Sequence, residues 1–282
     1  MSGKLAFAVA AVCLSSGAAW GFDSYGSVTA EHGQITAEAL KALDWAGTAI
    51  SNMQKEVRGV DWEQTSFDKK RFGLFPNDKY MAASHFDRGK NGDNWVTNSD
   101  VFTSGRMLVL NDLDAARTAT EDGDKNTAFT DLGAALHAVE DLNSHSNLID
   151  MNAAFQTSVL TALFDKSKAF PNGLIFTSYT TDEGETPKND PLNYTHAAHS
   201  KDNAKKNADA KATQDGQTKT NYQLAYDSAV TFVKSAISYY ENGLTDDQKK
   251  TVEQAALLPQ EPFKDMYLFA AAGISRREAP WR

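Results

Sequence analysis

The chain has 282 residues, 41% hydrophobic and 23% charged, enough apolar material for a sizeable core and too much for a disordered chain. Its formal net charge of −9 disfavours non-specific attachment to nucleic acid or anionic membrane through bulk charge. The one cysteine, Cys13, lies in an N-terminal apolar run, so a metal site in the remainder has to use His, Asp, Glu and main-chain groups.

Residues 1–19 read as an export signal. Lys4 is the positive end, residues 5–14 are apolar, and residues 15–19 supply the small side chains that precede a cleavage point. That run is too short to span a bilayer, and no later stretch is long enough. The expected product is secreted or periplasmic, and residues 20–282 form a single domain. Cleavage after Ala19 is preferred, because Ala suits the −1 position, and leaves Trp20 as the new N-terminus; cleavage after Gly21 would leave Phe22. A free α-amino group with its own carbonyl is a candidate bidentate chelate.

Residues 29–58 place Ala37, Leu40, Leu43, Ile50, Met53 and Val57 at helical spacing and predict one long helix with His32 near its start. Val60-Asp61-Trp62-Glu63-Gln64 follows, then a mixed loop, then Met81-Ala-Ala-Ser-His85-Phe-Asp87 in an aromatic setting. The turn-rich residues 88–94 lead to a helix over about 100–119, capped by Ser99 or Asp100. Further helices are predicted over 126–145 and 148–164, with a loop or short hairpin over 173–193. A helix opens near His196 and fades into a linker around Asp215-Gly216. Tyr222 to Tyr240 is helical, Thr245 caps a short helix to about 257, and a last helix covers 262–272. Strand alternation and internal repeats are absent from the pattern, so the predicted class is all-α, a single-domain helical bundle.

The stretch 132–147 carries His137, Asp141 and His145 at i, i+4 and i+8. At about 100° per residue these fall within about 80° of arc, on one helix face. Leu132, Leu136 and Val139 form the neighbouring stripe that would bury the helix. Solvated histidines and an acid would be the ordinary reading of three such residues. The chain has only six histidines, however, and each sits in a short polar or aromatic cluster. Imidazoles and carboxylates drawn from several helices of one bundle are how multinuclear metal sites are built, and this donor set suits a borderline cation such as zinc.

The sequence resembles the zinc-dependent phospholipase C family, including its Het-C-like branch, with fungal-type single-strand zinc nucleases as more distant relatives. The resemblance rests on His137-Ala-Val-Glu-Asp141 with Ser144-His-Ser-Asn147, on Ala83-Ser-His-Phe-Asp87, on Asn193-Tyr-Thr-His196 continuing to Ser200-Lys-Asp202, and on an export signal ending before Trp20. It implies a helical fold around three zinc ions. Trp20 and His32 would bind one zinc, His85 and His137 a second, and Asp141 would bridge the two. Asp61 would be the second zinc's further carboxylate and would orient or deprotonate the attacking water; Asp78 and Asp87 compete with it for that place. His145 would begin a third site, with His196 and Asp202; His199 competes with His196.

The function the resemblance implies is phospholipase C activity. The phosphodiester of a phosphatidylcholine-type lipid is hydrolysed at the membrane surface by metal-activated water, without transmembrane anchoring and by a monomer. The apolar residues Phe170, Leu174, Ile175, Phe176 and Tyr179 either touch lipid or pack among themselves. The alternatives are a zinc-dependent single-strand nuclease or nucleotidase on the same metals, and a non-catalytic zinc-binding protein.

Overall fold

The computed structural model describes residues 31–65, 85–91, 93–180, 186–201, 210–212 and 218–255. The apolar periodicity of 29–58 resolves into two helices rather than one, α1 (Glu31–Lys41) and α2 (Gly47–Thr65). Asp44 breaks the run by adopting φ 61°, while the Asp44 and Trp45 amides turn back to the Lys41 and Leu40 carbonyls. Asp is one of the few non-glycine residues that visits this left-handed region at low cost, so the stop carries no glycine signature. Trp45 is then buried edge-on against Phe129, with ring centroids 6.4 Å apart.

Strands β1 (Lys90–Asn91) and β2 (Asn94–Trp95) form a minimal hairpin. Helix α3 (Asn98–Glu121) is capped by Thr97, whose side chain accepts from the Asp100 amide, ahead of the caps expected at Ser99 or Asp100. Helix α4 (Lys125–Ser144) is capped by Asp124. The expected helix over 148–164 divides into a 3-10 turn at Leu148–Asp150 and α5 (Ala153–Phe164), because Asn152 turns its side chain onto the Phe155 amide and restarts the helix. After the four-residue helix α6 (His196–His199), strands β3 (Ala210–Ala212) and β4 (Thr218–Thr220) pair antiparallel where a fading helix and a linker were expected. Helices α7 (Asn221–Glu241) and α8 (Asp246–Glu253) each begin with a complete capping box, Thr220 with Gln223 and Thr245 with Gln248. The described residues are therefore mostly helical, with two short hairpins. The export signal and the 262–272 helix lie outside them.

Helix α4 packs against α1, α2, α3 and α7. Every residue from Leu132 to Ser144 is buried, so the helix is enclosed all round rather than along one apolar stripe. Small residues at 133, 134, 135 and 138 let the neighbouring helices approach. At Gly133 the approach is closest: a Cβ there would lie 2.6 Å from Glu56 Cβ and 3.1 Å from the Val57 amide nitrogen of α2. Leu174 and Phe176 of the 170–179 segment are fully inside the core, and Phe170 packs on Phe102 at 5.7 Å. These residues pack inward rather than offering themselves to lipid. Among the described residues, no helix is long and apolar enough to cross a membrane.

Substituting Gly133→Ala is expected to push α2 off α4 and lower stability by about 1–3 kcal/mol, read by chemical denaturation. An unchanged midpoint would show that the two helices separate without cost.

Candidate metal centre

The polar interior of α4 is the seed of the site. His137 and Asp141 stand one turn apart, and His145 follows at the C-cap, its amide bonded to the Asp141 carbonyl at 2.8 Å. The close approach that Gly133 permits brings the Val57 carbonyl of α2 within 3.1 Å of His137 Nδ1. Helix α1 adds His32, whose ring stacks on His137 with centroids 4.2 Å apart.

The segment 85–87 is held by an unusual backbone. Phe86 is fully buried with φ 49°, a region that bulky side chains avoid at a cost of about 1–3 kcal/mol. Its ring sits where a Cβ on Gly105 of α3 would come within 2.5 Å, and it packs against Phe176 at 5.7 Å. Gly105 thus makes the slot that fixes Phe86 and, with it, the residues on either side. His85 Nδ1 reaches Asp141 Oδ2 at 2.7 Å and lies 3.3 Å from His137 Nε2. Its carbonyl accepts from His145 Nδ1 at 2.6 Å.

A short extended segment, 176–178, gathers the other donors. Phe176 bridges to Ser146, and Ser178 bridges to both Arg88 and Thr195. Each of these partners is next in sequence to a candidate ligand: His145, Asp87 and His196 respectively. The Thr177 amide bonds the His145 carbonyl at 2.7 Å, the His196 amide bonds the Ser178 carbonyl at 3.0 Å, and the Thr177 hydroxyl donates to Asp87 Oδ1. Buried Arg88 closes the arrangement with a bidentate pair to Asp190 at 2.8 and 2.7 Å. Burial works to raise the Asp190 carboxyl; Arg88, the Leu192 and Tyr194 amides and the Ser178 hydroxyl overcome it and bring it down to about 2.

Two buried groups result, either of which could hold a metal ion: His32, His137 and Asp141; and Asp87, His145 and His196. In the first, His32 Nε2 lies 3.4 Å from Asp141 Oδ1 and His137 Nε2 lies 3.1 Å from Asp141 Oδ2. In the second, His196 Nε2 lies 3.0 Å from His145 Nε2 and 3.9 Å from Asp87 Oδ2. Asp141 joins the two groups, its Oδ1 being 4.0 Å from His145 Nε2.

The donor set fits a divalent cation on three counts. The Val57 and His85 carbonyls can only accept, so Nδ1 of His137 and of His145 carries the proton and the Nε2 lone pairs face inward. Asp141 Oδ1 is buried and accepts no hydrogen bond. Donors about 2.0–2.1 Å from a tetrahedral cation stand about 3.3 Å from one another, close to the separations across Asp141. The electrostatics agree. Burial alone would raise Asp141, but the imidazoles of His137, His145 and His32 hold it well below the usual carboxylate range. Burial and His137 lower His32, and Asp141 and Glu140 more than reverse this, raising it to about 9. Without a cation, a proton takes that place.

Of the residues expected from sequence, His32, His85, His137, Asp141, His145 and His196 come together. His199 does not; it stacks on Tyr194 at 4.1 Å. Asp87, expected only as a rival to Asp61 beside His85 and His137, faces His145 and His196 instead. Trp20, Asp78, Asp202 and the side chain of Asp61 lie outside the described residues. Glu140 escaped the sequence reading although it neighbours Asp141: it takes His32 Nδ1 at 2.5 Å and the Thr36 hydroxyl at 2.6 Å. An acid inside a helix whose surroundings are apolar was the available signal.

Comparison with known protein families, curated proteins and solved structures finds no match for this chain.

Two outcomes check this construction. Gly105→Ala should dislodge Phe86 and with it His85 and Asp87, so bound metal should fall together with stability; full metal content would show that 85–87 is held by other means. Because Asp190 is depressed in the folded state from an ordinary value of about 3.9, its stabilisation is present above about pH 4 and lost as pH falls towards 2. Asp190→Asn should therefore cost about 3 kcal/mol at neutral pH, with the difference from the parent shrinking through that window. A difference independent of pH would contradict the ion-pair account.

Proposed function

We propose that this chain is a secreted or periplasmic zinc-dependent phosphodiester hydrolase of the phospholipase C type, acting on phospholipid headgroups. The observation that carries the reading is the burial of two His and Asp groups against one shared carboxylate, Asp141. Five imidazoles with two acids favour zinc over magnesium or calcium, which prefer all-oxygen shells.

His32, His137 and Asp141 would hold one cation with His85 alongside, and Asp87, His145 and His196 another. The resemblance puts His32 on a separate zinc with Trp20, apart from the zinc of His85 and His137, and that three-zinc arrangement belongs to the same proposal. The cations, when bound, would supply positive charge to phosphate oxygens and lower the pKa of water towards about 7. The chain's own part would be to turn the Nε2 atoms of His137 and His145 inward, to set Asp141 between the two groups, and to exclude bulk solvent. Asp61 remains the residue proposed to orient and deprotonate water. The donors are so deeply buried, at 0–1% exposure, that a closed, non-catalytic metal site is the second reading. The negative net charge weighs against a nucleic-acid substrate.

The test is to count zinc per chain in purified protein and assay phosphatidylcholine and single-stranded DNA in parallel. The proposal expects zinc and lipid hydrolysis, with both lost more than about 100-fold in Asp141→Asn. Zinc with DNA cleavage alone would transfer the site to the nuclease reading. Zinc with neither activity would support the structural one, and absence of zinc would overturn the metal assignment.

A further inference from the structure

We propose that Glu140 is a positioning residue that commits His32 to bind metal through Nε2, with Thr36 locking the carboxylate in place. The inference rests on the reading that the His32, His137 and Asp141 group takes a divalent cation. Glu140 and Asp141 are consecutive on α4, fully buried, and used in opposite ways. Asp141 presents Oδ1 to His32 Nε2 at 3.4 Å. Glu140 turns both oxygens to α1, Oε2 accepting from His32 Nδ1 at 2.5 Å and Oε1 from the Thr36 hydroxyl at 2.6 Å.

His32 and Thr36 are four residues apart, one turn of α1, so one helix face supplies both donors to one carboxylate. With both oxygens engaged there, Glu140 stands on the far side of the His32 ring from Asp141. A carboxylate on Nδ1–H does three things to a ligating histidine: it fixes the tautomer, fixes the ring plane and makes Nε2 more basic. His137 and His145 obtain the first two from main-chain carbonyls, Val57 and His85. At His32 the acceptor is instead a side chain, Glu140 of α4. The arrangement also explains Thr36: a buried hydroxyl on a helix otherwise burying Ile35, Ala37, Ala39 and Leu40 is placed to hold Glu140.

The experiment titrates the full chain with Zn²⁺ and with Co²⁺, whose absorption reports coordination, and reads which His32 nitrogen carries the proton in the zinc-saturated protein by imidazole ¹⁵N–¹H correlation. Glu140→Leu should weaken one cation site by about 10–100-fold and remove the Nδ1–H signal of His32. Glu140→Gln, which keeps an acceptor without the charge, should fall between. Thr36→Val leaves the carboxylate present and should weaken the same site less, which preserves the test should Glu140→Leu fail to fold. In a His32→Ala background, Glu140→Leu should change the remaining affinity by less than about twofold. Unchanged affinity and an unchanged tautomer in Glu140→Leu would overturn the proposal, as would an equal loss with and without His32. A parent chain that takes up neither cation would remove the metal reading itself, whereas a parent that binds and a Glu140→Leu variant that binds equally would remove this inference alone.

Discussion

A carboxylate cannot sit ionised in an apolar interior without compensation, since the cost of removing it from water runs to many kcal/mol. Asp141 sits in a helix buried on every side from Leu132 to Ser144 and is held well below its ordinary pKa. The surrounding structure reads as the answer to that charge. Helix α1 brings His32, the 85–87 segment brings His85, and α4 itself brings His137 and, past its end, His145. In the metal-free chain a proton on His32, raised to about 9, supplies part of the balancing charge. A divalent cation does the same job with more charge and with the directionality that these lone pairs present.

The scaffold spends stability to build this arrangement. Gly133 and Gly105 each surrender a side chain so that a backbone or an aromatic ring can come close, and Phe86 accepts a left-handed backbone. The compensation is visible nearby in the Phe86 and Phe176 pair, the buried Arg88–Asp190 bridge and the ladder of amides along 176–178. Strain at Phe86 is tolerated because its buried ring is held between Gly105 and Phe176, a pattern expected where function dictates the backbone.

What could be read from the sequence followed periodicity. His137, Asp141 and His145 share a face because helical geometry demands it, and the capping residue Thr245 announced α8. The division of 29–58 at Asp44 was hidden, because a left-handed aspartate leaves no glycine signature. The strands β3 and β4 were hidden because strands of three residues each, built of Ala, Lys and Thr, are too short to show a period. The partners of Asp87 were invisible for a different reason: only the bridges between 146, 176, 178, 195 and 88 bring Asp87 to His145 and His196, and pairings at such separations follow no local pattern. Glu140 was legible as an acid in an apolar helix, yet its role depends on a hydrogen bond across 108 residues.

The central claim is that the buried carboxylates and imidazoles are metal donors rather than a proton-sharing network. Anomalous diffraction at the zinc absorption edge, on crystals of the protein grown with zinc present, tests it most directly. The account predicts anomalous peaks enclosed by His32, His137 and Asp141 and by Asp87, His145 and His196. An edge scan and map with no peak inside either group would contradict it.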